Sequence, residues 1–183
     1  MRGTIVCPVL LALLLALLCG AAQSESPPQA GQPWPGLELP APPLARDRQT
    51  LGLGARETFR LADLPRKVWI VEVVGVYCQF CYEQLPAYNK LARRLDKAGL
   101  ANRVGMLALA AGGTPAEVLA LQEGPKAYAF PVVADESYEL HKTLGEPKTP
   151  FTVVIGPDGR VAWTHLGVVQ DLDQLLALVK GLA

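Results

Sequence analysis

The chain has 183 residues and is 50% hydrophobic, enough for one sizeable core. Lys plus Arg and Asp plus Glu each total 17, so no net field draws the protein toward nucleic acid or anionic lipid. Nucleic-acid binding needs a basic face, and none is visible, so no nucleic-acid partner is expected.

In chain order, Met1 to Ala22 reads as a signal peptide. Arg2 is a short positive n-region, and Ile5 to Leu18 form an almost uninterrupted apolar stretch. Gly20-Ala21-Ala22 then supplies small residues for cleavage after Ala22. The expectation is an exported protein, periplasmic if the source is a bacterium. An uncleaved anchor is the alternative, although the apolar run is short against the roughly 20 residues of a membrane span. A lipidated Cys19 is a further alternative, and Leu18 fits it poorly where a small residue should precede the cysteine. Cleavage would remove Cys7 and Cys19, leaving Cys78 and Cys81 of the four cysteines. Export would permit a disulfide between them.

From Ser24 to Pro43 proline dominates, with Ser, Gln and Gly between. So little apolar surface does not offset the entropy of ordering, and residues 23–50 are expected to be a flexible, polyproline-biased linker. Trp34 is the side chain in it able to dock. The globular domain is expected over residues 51–183.

Within that domain, Val68 to Val74 is a β-branched apolar run, the mark of a strand buried on both faces. Cys81, Leu85, Tyr88, Leu91, Ala92 and Leu95 recur at helical spacing. Val104 to Ala110 reads as a second buried strand. Thr114-Pro115-Ala116-Glu117 offers an N-cap, a first-turn proline and a capping-box Glu for a helix to about Glu123. "AFPVVAD" predicts a short strand, and Ser137 to Leu144 a short helix. Phe151 to Ile155 and Arg160 to His165 predict a hairpin around Gly156-Pro157-Asp158-Gly159. Asp171 caps a last helix, with Gln174 as capping-box partner and Leu172, Leu175, Leu176, Val179 and Leu182 as its apolar face. The order β-α-β-α-β-α-β-β-α predicts an α/β fold with a central mixed sheet and helices on both faces.

The pair Cys78-Gln79-Phe80-Cys81 admits several chemistries. Covalent haem attachment needs His directly after the second cysteine, where Tyr82 stands. Structural zinc needs two further ligands, and the expected mature chain offers only His141 and His165, which are far apart. No metal and no cofactor are expected. A staple across so small a loop removes little unfolded-state entropy. Redox chemistry fits the context, because the pair lies where a strand hands over to a helix. Backbone N–H groups and the helix dipole there favour a Cys78 thiolate. Cys81, one turn on, would resolve a mixed disulfide on Cys78.

Here the sequence resembles the thioredoxin-like fold and, within it, the exported TlpA/ResA-type thiol–disulfide oxidoreductases, over Leu51 to Leu182. "VYCQFCYEQLP" is similar to the family's aromatic-Cys-x-x-Cys helix start, and Pro86 matches its helix proline. "KTPFTVVIGPDGRV" is similar to its Thr-Pro segment and terminal hairpin. The resemblance implies a cis Thr149–Pro150 bond beside the cysteines and a Cys78–Cys81 redox disulfide. It implies a groove for protein partners to which Thr149, Pro150, Tyr77 and Phe80 contribute. The implied partners are protein thiols and disulfides, with apocytochrome c as one candidate, and a soluble or membrane protein that recycles the pair.

Glu72, six positions before Cys78, matches a buried acid of that pattern, which implies proton transfer with Cys81. A lone carboxylate in a buried strand is costly unless paired or protonated, so a raised pKa is expected. Pairing with a Lys or Arg at a sheet edge is the alternative. The sequence departs from the family at Gln84, where a Glu is common three residues after the second cysteine. Glu83 lies one place earlier and faces about 100° away on the helix. Gln79-Phe80 is an unusual dipeptide between the cysteines. Two other function classes remain. A peroxiredoxin-type thiol peroxidase would place Thr three residues before its cysteine, where Gly75 stands. A non-catalytic module would use the pair to hold copper or zinc.

Overall fold

The computed structural model describes residues 26–124 and 126–183; the expected signal segment, with Cys7 and Cys19, lies outside them. The central strand is the apolar run identified in the sequence. It spans Val68–Gly75 and is preceded by a β1–β2 pair (Leu39–Pro40 and Thr58–Phe59), so it is β3. A five-stranded sheet is built around it in the order β5-β4-β3-β6-β7, with β4 Val104–Ala111, β5 Val132–Asp135, β6 Phe151–Ile155 and β7 Val161–Leu166. β3, β4 and β5 run parallel, and β6 and β7 are antiparallel to their neighbours, which makes the sheet mixed.

Side chains alternate across a strand, so β3 feeds two cores. Val68, Ile70 and Val74 face one cluster, filled by Cys81, Leu85, Tyr88 and Leu91 of α2 (Gln79–Lys97) and by Leu175, Leu176 and Val179 of α5 (Leu172–Leu182). Val118 and Leu121 of α3 (Pro115–Leu121) join that face. Trp69, Val71 and Val73 face the other cluster, which Leu51 of α1 (Ala45–Leu51) and Leu144, next to α4 (Glu139–Thr143), help to cover. Every element expected downstream of Leu51 is present in the expected order, with helices on both faces. Boundaries differ where local chemistry decides them. α2 begins two residues before Cys81 because Cys78 is its N-cap. β5 starts only at Val132, after a proline that has no N–H for the ladder.

The stretch expected to be a flexible linker is instead folded onto the domain across its described part. Gly31 N–H donates to Val161 O and Val161 N–H to Gln32 O, both at 2.8 Å, so the segment runs along the outer edge of β7. Trp34 N–H donates to Gly159 O at 2.9 Å, and its half-buried indole packs on the second core. Leu37, Leu39, Leu51 and Leu53 are buried there too. Asp47 of α1 is buried and accepts from Val132 N–H at 3.3 Å and from Gln122 Nε2 at 2.5 Å, tying α1 to the start of β5. Near the chain reversal at Gly145 (φ +72°), a Cβ would fall 2.4 Å from Ser26 C, so the segment passes where only glycine fits.

The physical reason lies in β3. A strand that is apolar on both faces needs both covered, and the five-residue α4 is too short to cover one alone. The few leucines scattered among the prolines supply the missing cover. Leu39→Ala should therefore cost about 2–5 kcal/mol of stability in urea unfolding. A loss below about 1 kcal/mol would show that this segment is not part of the cooperative unit.

Candidate active site

β3 ends at Gly75, and the two-residue turn Val76-Tyr77 delivers Cys78 to the N-cap of α2. Cys78 is half-buried, Cys81 is 2% exposed, and a disulfide joins them. Cys81 N–H points at Cys78 Sγ at 3.2 Å, and the free first-turn amides of a helix favour negative charge at this position. Cys78 is thus the accessible sulfur and Cys81 the enclosed one. Tyr82 hydroxyl donates to Val76 O at 2.8 Å and ties the helix start to the turn before it.

The Thr149–Pro150 peptide is cis, as the family resemblance implied. Thr149 O lies 3.6 Å from Cys78 Sγ, placed to accept from a Cys78 thiol once the disulfide is reduced. Pro150 is buried, and its carbonyl accepts from Gly167 N–H at 2.8 Å. His141 Nε2 is 2.9 Å from Pro147 O and braces the same loop. Tyr77 and Phe80 flank the cysteines with 85% and 59% of their surface exposed, so the rim is apolar and open. Tyr77 hydroxyl donates to Glu117 Oε1 at 2.7 Å. Glu117 is also the capping-box acid of α3, and its bonds from Thr114 and Tyr77 hold its carboxyl below the usual range. The structure therefore gathers Cys78, Cys81, Thr149, Pro150, Tyr77 and Phe80 at one end of the sheet.

Glu72 sits inside the first core, with 1% of its surface exposed. It shares that face with Cys81, and no ion pair among the described residues includes it, so sheet-edge pairing with Lys or Arg is set aside. Burial pushes its pKa up to about 8, partly offset by a hydrogen bond from Gln84. Gln84 Nε2 donates to Glu72 Oε1 at 2.6 Å, while Glu72 Oε2 is buried without a protein partner. Directly across the ladder from Glu72 stands Thr152, whose hydroxyl is 2.6 Å from that of Tyr88. Burial raises the Tyr88 pKa, and the proximity of Glu72 adds to it.

Sequence reasoning treated Gln84 as a departure and passed over Thr152 and the hydroxyl of Tyr88. One signal was available: Gln84 is a polar residue on the apolar face of α2, three residues from Cys81. Its partner on another element is not encoded in spacing.

A half-exposed sulfur at a helix start, an enclosed partner, a cis-proline loop and a buried acid define a thioredoxin-like oxidoreductase. A model of the AhpC/TSA family matches residues 30–164, and the chain belongs to that family. No curated protein matches it by sequence. Among solved structures, it is similar to a putative thiol:disulfide interchange protein DsbE from Chlorobium tepidum, at 17% identity and TM-score 0.62, over 83% of this chain and 97% of that one. A putative thioredoxin from Neisseria meningitidis aligns at 22% identity and TM-score 0.59, over 80% and 87% of the two chains. Mycobacterium tuberculosis AhpC aligns at 15% identity and TM-score 0.61, over 85% and 98%. At these identities the likeness establishes the fold. The family match begins at residue 30, inside the stretch the sequence suggested was a linker, in keeping with its packing.

The raised pKa of Glu72 has a consequence for stability. Between its ordinary value of 4.5 and about 8, the folded chain holds a proton on Glu72 that the unfolded chain has lost. Stability should therefore fall as pH rises through that window and level off above it. Glu72→Gln should abolish this slope, matching wild type near pH 4 and exceeding it at pH 8 by on the order of 4 kcal/mol. Denaturant unfolding across pH measures it; parallel curves for the two proteins would refute a protonated Glu72.

Proposed function

We propose that the protein is an exported thiol–disulfide oxidoreductase that reduces disulfides of protein substrates, of the TlpA/ResA type. The observation that carries this reading is the disulfide-forming pair at the start of α2, with Cys78 open to the rim and 3.6 Å from the cis-proline loop. Cys78, as thiolate, attacks one sulfur of a substrate disulfide and releases the other as a thiolate, giving a mixed disulfide. Cys81 gives its proton to Glu72 in its ionised form and attacks Cys78 Sγ, which releases the second substrate thiolate and leaves the Cys78–Cys81 disulfide. Two electrons pass from the enzyme dithiol to the substrate, and a separate dithiol partner returns them. Thr149, Pro150, Tyr77 and Phe80 form the docking rim, and its open aromatic surface suits an extended peptide. Apocytochrome c is one candidate substrate, and the leader at Met1 to Ala22 supports export.

The AhpC/TSA match and the likeness to an AhpC structure favour a second reading, thiol peroxidase activity. Gly75 counts against it, since it offers no hydroxyl three residues before Cys78. The half-buried first cysteine and its enclosed neighbour suit exchange with a disulfide.

Redox titration against glutathione and dithiothreitol buffers should give one two-electron couple for Cys78–Cys81. A midpoint near about −270 mV would mark a reductant, and one near about −120 mV an oxidant. Cys81→Ser should accumulate substrate proteins as mixed disulfides on Cys78, resolved by non-reducing electrophoresis and mass spectrometry. Cys78→Ser should accumulate none and lose insulin-disulfide reduction. Rapid hydrogen peroxide consumption without insulin reduction would overturn the leading reading in favour of the peroxidase.

A further inference from the structure

Gln84 is fully buried on α2, one turn beyond Cys81, and its two ends have different partners. Val169 N–H lies 2.7 Å from Gln84 Oε1, and a backbone N–H can only donate. The amide oxygen must therefore face Val169, because a flipped amide would set NH2 against N–H. That leaves the NH2 end toward Glu72, whose Oε1 accepts at 2.6 Å. Oε1 keeps this bond whether Glu72 is ionised or neutral, so a protonated Glu72 carries its hydrogen on Oε2. Oε2 is the buried oxygen without a protein partner.

We propose that Gln84 is a positioning residue for the redox site: anchored by Val169 N–H, its amide pins one oxygen of Glu72 so that the proton exchanged with Cys81 travels on the other. This rests on, and deepens, the reading of Glu72 as the proton holder. In the resolving step, Glu72 Oε2 takes the proton from Cys81 Sγ as that sulfur attacks Cys78 Sγ. The Cys78–Cys81 bond forms, the bond from Cys78 to the substrate sulfur breaks, and the substrate thiolate takes a proton from water. The two enzyme thiols are oxidised and the substrate disulfide is reduced by two electrons.

The surroundings leave this role to Gln84. Among the described residues, Cys81 and Tyr88 of α2 and Tyr128 ahead of β5 are titratable side chains near Glu72, and His165 of β7 lies on the same sheet face beyond Thr152. β4 presents Ala108, β6 presents Thr152, and α5 presents Leu175, Leu176 and Val179. None of these side chains is a Lys or Arg, so the Gln84 bond is what favours an ionised Glu72. The anchor also reaches the docking rim. Val169 follows Gly167, whose N–H donates to Pro150 O, so one short segment holds both the cis-proline loop and the amide.

The test compares the pH dependence of unfolding stability in wild type, Glu72→Gln, Gln84→Met and the double variant. The difference between Glu and Gln at position 72 reads the Glu72 titration directly. Gln84→Met keeps the volume and removes the bond, so the midpoint of that difference should move up by about one pH unit. The pH profile of kcat/KM for insulin-disulfide reduction should move the same way. Gln84→Glu serves as a conditional rescue that retains the bond while the new carboxyl is protonated. It should match wild type in rate near pH 5 and fall behind it near pH 8. A merely structural Gln84 would lower stability equally at all pH values and leave both midpoints in place, which would overturn the inference. If the stability midpoint moves but Glu72→Gln leaves the wild-type rate profile unchanged, Gln84 positions Glu72 but the proton role of Glu72 fails, and the proposed relay with it. If Glu72→Gln alters the rate profile and Gln84→Met moves neither midpoint, the failure belongs to Gln84 alone.

Discussion

β3 has no solvent face, and the other features of the molecule follow from accommodating it. Seven of its eight residues are buried, so both sides of the sheet must be roofed. α2, α3 and α5 roof one side. On the other, the proline-rich segment, α1, the β1–β2 pair and α4 share the task. The same strand sets the site. Where β3 runs out at Gly75, the chain turns directly into α2, so its first-turn amides and Cys78 emerge together at the end of the sheet. The antiparallel neighbour β6 brings the cis-proline loop to the same place from the other direction.

Within this apolar setting Glu72 is the expensive residue. A buried carboxylate without a cation is tolerated by holding a proton, and its single strong bond comes from a neutral amide. The contrast between the cysteines has the same origin. Cys78 sits at the boundary with water and near the positive end of a helix, which favours its ionised form. Cys81 lies under the helix, where a thiolate is disfavoured unless its proton has somewhere to go. Under the proposed function that proton goes to Glu72, in its ionised form, on the same core face.

Family membership and fold do not by themselves select the chemistry, since thiol peroxidases and thiol–disulfide oxidoreductases share this scaffold. The discriminating features are local: Gly75 before the first cysteine, a second cysteine one turn on, and an open aromatic rim of Tyr77 and Phe80. Each follows from residue identity at the junction of β3 and α2, which is why the motif carried so much of the argument.

The sequence by itself determined the elements from Val68 onward, the position of the cysteine pair at a strand-to-helix junction, and the oddity of Glu72. Those are local properties: apolar period, capping residues, turn residues and a polar residue in an apolar run. It misread residues 26–50, because proline content reports the stiffness of a segment and not whether distant apolar surface awaits its few leucines. It also left Gln84 as an unexplained substitution. Only the tertiary structure decided that Gln84 of α2 bridges Glu72 of β3 and Val169, ahead of α5. Such a bond depends on how a helix is rotated over a sheet, which the sum of packing in both cores determines and no spacing within one element encodes.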